Sequence, residues 1–404
     1  MTAISKNILG IKRLHNEEEM EALIIRLYFI LLSFTTVMSV FDQIPMYSGA
    51  FTSLASAGIF PIFKFIKDIL VIALFFTLLP LFLYRSKTPL LITTLMFGLF
   101  VLISAVYTYI DTKEIYFLAG FRWILPVFII IWLTVIDLKK LEKTSVYLIS
   151  YIFIINIVTQ IYQLSFMPHW FGTTDFGMSS RVIGIFMAPN TSAFFTCAAI
   201  AFLAYKKEYF NRKATMLLFL VGAFSIFLTR SGTGLITLVA LLTIFIVPIR
   251  YIMFSALSLI IILPTILLNL DGLLNRENYV ALSGVGRFNL IMVAFQNVGF
   301  LSGEFGYNTN TANLLFSMLD PSKVYEAADS VIASVQGNLG YLGSLMYLGV
   351  VIYFTYKALI DKNSSRLSII AVYVIFGMTT ITFEAFPMIY FLPIIYGNSR
   401  VINS

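Results

Sequence analysis

The chain has 404 residues, 59% of them hydrophobic and 12% charged. Soluble domains carry about a quarter charged residues, so this chain has too little polar surface to cover itself in water and reads as a polytopic membrane protein. Its net charge of +7 does not point to nucleic acid, because most of its 27 Lys and Arg fall in short loops between apolar runs, where they set membrane topology.

A membrane-crossing helix needs about 20 apolar residues. In chain order the candidate spans are 22–41, 65–84, 88–109, 115–136, 145–166, 187–205, 213–229, 232–249, 251–269, 331–357, 367–385 and a short one at 387–398. That makes an all-α bundle of about twelve spans, with residues 1–404 forming one integral membrane domain. The N-terminal stretch holds Lys6, Lys12 and Arg13, then Glu17, Glu18 and Glu19. It reads as a charged cytoplasmic segment ahead of a retained first span, not as a cleaved signal. With that end inside, the alternate loops place Arg85 and Lys87, then Lys139, Lys140 and Lys143, then Lys206, Lys207, Arg212 and Lys213 on the cytoplasmic face. Arg250, Lys357, Lys362 and Arg366 fall there too, as does the C-terminus.

The longest segment outside the spans, 270–328, then lies on the outer face. Within it, Phe288, Ile291, Met292, Ala294 and Phe295 have helical spacing. They predict an amphipathic helix over 287–300, lying on the membrane or capping a cavity. A second outer loop, about 167–186, carries His169, Trp170, Asp175 and Arg181. The single cysteine, Cys197, falls inside a span, so there is no disulfide framework and no Cys-rich metal site. Two histidines, His15 and His169, leave little material for His-based metal or general-base chemistry.

Three arginines stand on the outer side against the loop-charge rule. Arg181 precedes the sixth span in Ser180-Arg181-Val182-Ile183-Gly184-Ile185-Phe186, ahead of Pro189-Asn190. Arg230 sits in Thr229-Arg230-Ser231-Gly232-Thr233-Gly234, where the chain turns back between spans, and Arg287 follows Ser283-Gly284-Val285-Gly286. A guanidinium is permanently charged and grips phosphate or carboxylate oxygens two at a time. The neighbouring Ser and Gly residues expose backbone N–H groups that suit an anion pocket. A lone arginine at a helix end is commonly an interfacial anchor. Three converging on one face, with Arg230 inside an apolar hairpin, weigh towards a site.

Lys64, Lys67 and Arg122, near the outer ends of the second and fourth spans, extend this basic region or pair with Asp68, Asp111 or Glu114, the plainer outcome. Glu384, a lone acid near the end of the eleventh span, is a candidate counter-ion for one of the arginines. Gly284 and Gly286 lack the third glycine and the βαβ setting of a dinucleotide loop. Gly337, Gly340 and Gly343 read as a small-residue face for helix packing. Asn190-Thr191-Ser192 matches a glycosylation acceptor but lies in a span, and His169-Trp170 fits an interfacial aromatic belt better than a sugar platform.

Taken in order, these pieces resemble the O-antigen polymerase (Wzy) and O-antigen ligase superfamily. The matching residues are Arg181-Val182-Ile183-Gly184-Ile185-Phe186 with Pro189-Asn190, Leu228-Thr229-Arg230-Ser231-Gly232, Gly286-Arg287 with Gly303-Glu304-Phe305-Gly306, and Asp329 with Gly337-Asn338-Leu339-Gly340. Lys67-Asp68 and Gly120-Phe121-Arg122 fit the earlier half. The resemblance implies a GT-C-like membrane glycosyltransferase of a bacterial inner membrane, acting on undecaprenyl-diphosphate-linked oligosaccharide at the outer face, with no cofactor and no metal. Its implied partners are that lipid-linked glycan, membrane lipids and a chain-length regulator protein, but no nucleic acid.

The ligase branch carries a histidine in the large loop or just before the following span, where this chain reads Tyr325-Glu326-Ala327-Ala328-Asp329-Ser330. That departure favours the polymerase. Arg181, Arg230, Arg287, Arg122 and Lys67 would then bind the diphosphate, where leaving-group charge builds. Asp329, and after it Glu326, would be the base for the acceptor hydroxyl. The alternatives are an O-antigen ligase and a transporter or flippase of lipid-linked oligosaccharide or another anion. Apolar span centres with charges gathered at one face weigh against the carrier.

Overall fold

The structure is a computed structural model that describes residues 2–41, 43, 61–112, 117–166, 181–186, 188–252, 288–289, 291–296, 298–309 and 330–398. Among these residues there are helices and turns and no strand. Long apolar runs fold this way because a helix satisfies its own backbone N–H and C=O groups where no water can. The principal helices are α1 (Thr2–Phe41), α2 (Pro61–Arg85), α3 (Thr88–Thr112), α4 (Phe117–Leu133), α5 (Glu142–Phe166) and α6 (Pro189–Leu203). They continue with α7 (Arg212–Thr229), α8 (Gly232–Ile246), α9 (Val331–Ile360), α10 (Ser364–Gly377) and α11 (Met388–Gly397).

By length and composition α1 (from Glu17), α2, α3, α5, α7 and α9 can each cross a membrane, while α4, α6, α8, α10 and α11 are shorter apolar helices. The surface agrees. Leu95, Met96, Leu99, Leu102, Val106 and Ile110 on α3, and Leu345, Leu348, Ile352 and Tyr356 on α9, are all exposed. Continuous apolar faces of that size belong against lipid. The protein is a helical membrane protein.

Helix α6 is the hub. It packs against α5, α7, α8, α10 and α11, and every residue from Ser192 to Leu203 is buried. Its sequence is apolar on all sides, with alanines that admit close neighbours, which is the pattern of a helix surrounded by others. Phe194 stacks on Phe376 of α10 at 4.6 Å, and Phe195 meets Phe391 of α11 at 5.3 Å. A second group forms where α2 packs on α1 and α4, with Trp132 against Phe75 and Phe82.

Ion pairs tie the helix ends together at one end of the bundle. Arg85 reaches Glu21 at 2.5 Å and Glu17 at 3.7 Å, with Lys140 at 3.8 Å from Glu21. Buried Lys206 pairs with Glu142 at 2.8 Å and also donates to the backbone carbonyl of Asn398.

One expected boundary differs, and one lies outside the description. The helix expected over 367–385 ends at Gly377, and 378–387 runs as turns before α11. Apolar composition continues through this stretch, but the side chains of Thr379 and Thr380 bond to other helices instead of continuing the helical run. The expected span at 251–269 lies outside the described residues beyond Ile252.

Candidate functional site

The other end of the bundle is built on broken backbone. Helices α7 and α8 are joined by two residues, Arg230 and Ser231. Ser231 caps α8 by accepting from Gly234 N–H at 3.1 Å. Arg230 takes the left-handed conformation (φ 48°, ψ 38°) that closes α7, its N–H donating to Phe227 O. Glycine fills such a position without steric cost, whereas an L-residue there costs about 1–2 kcal/mol. Arg230 takes this conformation, as Lys362 (φ 49°) does after α9, and its charge suits the negative end of the α7 dipole.

Arg181 approaches the same helix end. It is 9% exposed, and its Nε donates to Thr229 O at 3.0 Å. The adjacent Val182 N–H donates to Leu228 O at 3.3 Å. Residues 181–186 therefore cover carbonyls that the last turn of α7 leaves open, and the two arginines bracket one helix terminus.

The 181–186 stretch is itself not helical, yet all six residues are buried. Its backbone is satisfied by side-chain amides. Gln163 Oε1 accepts from Ile183 N (3.2 Å) and Gly184 N (2.8 Å), and Gln163 Nε2 donates to Gly184 O at 2.8 Å. Asn156 Oδ1 accepts from Ile185 N at 3.1 Å, and Gln43 Nε2 donates to Phe186 O at 3.0 Å. Gly184 has φ 62°, and a Cβ there would lie 1.9 Å from Asn156 Oδ1. Asn156 stands about 15 Å of helix from the end of α5 at Phe166. The unwound chain thus meets α5 about three turns inside that helix end, where protein side chains take much of its backbone polarity.

From there the site extends through α6 to 378–387. Asn190 at the start of α6 accepts from Ser231 Oγ at 2.8 Å and donates to Thr380 Oγ1 at 2.6 Å, while Thr233 donates to Thr379 at 3.0 Å. A few residues on, Phe386 lies 3.8 Å beneath Lys67 Nζ, and Glu384 is within electrostatic reach of that lysine. Lys67, 2% exposed, also pairs with Asp68 at 3.3 Å, and Arg122 Nε donates to the same carboxylate at 3.1 Å. The Cα atoms of Thr380 and Glu384 are at most about 14 Å apart along the chain. One short segment therefore links the Arg181–Arg230 pair to the Lys67–Asp68–Arg122 group. Buried Tyr390 stands in electrostatic reach of Asp68 and Arg122, its hydroxyl without a hydrogen-bond partner among the described residues.

A third piece docks beside this group. Residues 298–309 fold onto α9 where that helix breaks at Gly340 (φ 74°). Tyr341 N and Leu342 N donate to Gly299 O and Phe300 O, and Asn338 Oδ1 accepts from Gly306 N (2.8 Å) and Asn308 N (3.2 Å). Phe305 is fully buried, its N–H bound to Thr108 Oγ1 at 2.8 Å, its ring edge-on to Phe121 and tight against Gly120. Gly120-Phe121-Arg122, Gly303-Glu304-Phe305-Gly306 and Gly337-Asn338, far apart in the chain, thus share one junction. Among the described residues Gly337 and Gly340 lie against this loop and not against a second helix, which differs from the expected helix-packing face; Gly343 meets Leu339 of its own helix.

Of the residues expected at the site, Lys67, Arg122, Arg181 and Arg230 stand at one end of the bundle. Lys67 and Arg122 take the plainer outcome, sharing Asp68. Glu384 lies by Lys67. Arg287, Glu326 and Asp329 lie outside the described residues, as do His169, Trp170 and Asp175 and most of the 270–328 loop. The described part of the expected loop helix is helical at 288–289 and 291–296, and the chain turns irregular from 298. Among the described residues no three of His, Cys, Asp and Glu group closely enough to hold a metal ion. Asn156, Gln160, Gln163, Gln43, Thr379 and Thr380 escaped the sequence reading. The i, i+4, i+7 spacing of the three α5 amides inside an apolar span was the available signal. Comparison with known protein families, characterised proteins and solved structures finds no match for this chain.

Proposed function

We propose that the chain is a bacterial surface-polysaccharide polymerase of the O-antigen or capsule type. It is a membrane glycosyltransferase in a GT-C-like bundle of about twelve spans, with both termini cytoplasmic. It moves glycan from undecaprenyl diphosphate to a lipid-linked repeat unit at the outer face of the inner membrane. The observation that supports this reading best is the arginine pair on one helix terminus, Arg181 on Thr229 O and Arg230 in the left-handed turn beside it. One guanidinium held on a backbone carbonyl and a second arginine fixed by its main chain beside it, at the end where the charge rule disfavours them, suit a diphosphate leaving group whose charge grows in the transition state. Lys67 and Arg122, which share Asp68 at the same end of the bundle, are assigned to this diphosphate. Arg287 is assigned to the same diphosphate, and Asp329, with Glu326 as second choice, accepts the proton of the acceptor hydroxyl.

The deciding experiment mixes purified protein in lipid with a polyprenyl-diphosphate-linked repeat unit and resolves the glycan on a gel. A ladder of lengths is the expected result. Its absence with the native repeat unit present sinks the polymerase, and adding a lipid-A core acceptor then tests the ligase. A carrier reading draws on one observation, the unwound and buried 181–186 stretch, since transporters build anion sites at broken helices. Uptake of lipid-linked glycan or anion into vesicles without a ladder would establish it.

A further inference from the structure

We propose that Gln163, Asn156 and Gln43 are positioning residues that hold the unwound 181–186 stretch so that Arg181 is set for anion binding; this rests on the reading of Arg181 and Arg230 as a diphosphate site. Apart from one turn bond, from Phe186 N to Ile183 O at 3.2 Å, the stretch shows no backbone bond within itself, so its path is set largely by what bonds to it. Gln163 takes three of those bonds, to Ile183 N, Gly184 N and Gly184 O. Asn156 takes Ile185 N and Gln43 takes Phe186 O. Arg181 and Val182 sit immediately before the clamped residues, and their own bonds, to Thr229 O and Leu228 O, hold them against α7. The arginine is thereby strung between a clamp on α5 and a helix end on α7.

The neighbouring amide Gln160 provides the contrast. It lies on the same face of α5, equally buried, but bonds to Ser192 Oγ (2.9 Å) and Ser225 Oγ (2.7 Å) and not to the unwound stretch. If buried amides on α5 were there for packing alone, Gln160 and Gln163 would be interchangeable in effect. Under the positioning role they are not. Loss of Gln160 loosens α5 from α6 and α7, whereas loss of Gln163 frees the backbone that carries Arg181.

The test measures binding of inorganic pyrophosphate to the full chain in lipid nanodiscs, beside thermal stability, for wild type and for Gln163→Met, Gln160→Met and Gln43→Met. Methionine keeps the length of glutamine and removes its hydrogen bonds. Gln163→Met is expected to weaken pyrophosphate binding about tenfold, the effect of removing one well-aligned hydrogen bond to a charged group. Gln160→Met should lower the melting temperature and leave the affinity alone. Gln43→Met, which removes the bond at the far end of the stretch, should weaken binding about threefold and carries the test should Gln163→Met not fold. Wild-type affinity in both Gln163→Met and Gln43→Met overturns the proposal, as does equal weakening by Gln160→Met and Gln163→Met. Failure of the wild type to bind pyrophosphate overturns the anion site itself and is told apart by arising before any substitution.

Discussion

The two ends of this bundle use cations in different ways. At one end Arg85, Lys140, Lys206 and Arg366 each meet a carboxylate: Glu17 and Glu21, Glu21, Glu142, and Asp361. These pairs join the ends of regular helices, and their charge is answered within the fold. At the other end Arg181 and Arg230 are set by backbone, one on the carbonyl of Thr229 and one in the left-handed turn that closes α7. Regular helices stop there: at 181–186, at 230–231, at 378–387 and at Gly340. Lys67 and Arg122 at this second end also share a carboxylate, Asp68, so what separates the two ends is the broken backbone around the arginines and not an absence of ion pairs.

The largest expected effect breaks the structural end. Lys206→Met leaves Glu142 buried without its partner at 2.8 Å, and stranding a buried charge costs about 3–5 kcal/mol. A denaturant or thermal unfolding series in lipid should show that loss. Glycan assembly per folded molecule should stay near wild type. Next comes the proposed site. Arg230→Ala should cut polymer formation about 10²–10³-fold, the usual loss when one preorganised transition-state donor is removed. Insertion and stability should hold, because alanine takes the left-handed turn at a cost comparable to that of arginine. Arg230→Lys should recover little of the activity, since an ammonium lacks the two-pronged grip on phosphate. Full activity in the lysine variant would remove the phosphate-clamp idea and leave the two ends alike.

A smaller effect is expected at the junction that borders the site. Gly120→Val puts side-chain atoms where a Cβ alone would lie 2.4 Å from the ring of Phe305. Overpacking of this kind costs about 1–3 kcal/mol. The ring is expected to give way with the 298–309 loop it anchors. Faster amide exchange confined to Phe305–Thr309 would show it; uniform exchange along α4 and α9 would place the strain in the helices instead.

This junction also marks where sequence stops being readable. The helices were legible because an apolar run of the right length has one low-energy solution in a membrane. Arg181 and Arg230 stood out because a guanidinium in an apolar setting is costly. The same logic extended the helix expected at 367–385 too far: composition cannot show that Thr379 and Thr380 find hydroxyl and amide partners on α8 and α6. Nor could it pair Phe305 with Gly120, or turn Gly337 and Gly340 towards a loop, since glycine spacing suits a packed helix and a docked strand of backbone equally well. The amides of α5 were passed over despite their helical spacing, because nothing in the sequence of 181–186 shows that this stretch is unwound and needs them.

The smallest expected effect tests whether exposure separates the charges within the structural end. Arg85 is 26% exposed and Glu21 11%, against 5% and 9% for Lys206 and Glu142. Arg85→Gln should therefore cost no more than about 1 kcal/mol, since water screens a part-exposed pair and Lys140 remains near Glu21 at 3.8 Å. Raising the salt concentration should shrink the difference between Arg85→Gln and wild type while leaving the Lys206→Met deficit almost unchanged, because screening acts on exposed charges and hardly reaches buried ones. If both deficits respond equally to salt, Lys206 and Glu142 are more hydrated than their burial implies. The structural end would then owe its stability to the packing of α6 against its neighbours and not to its ion pairs.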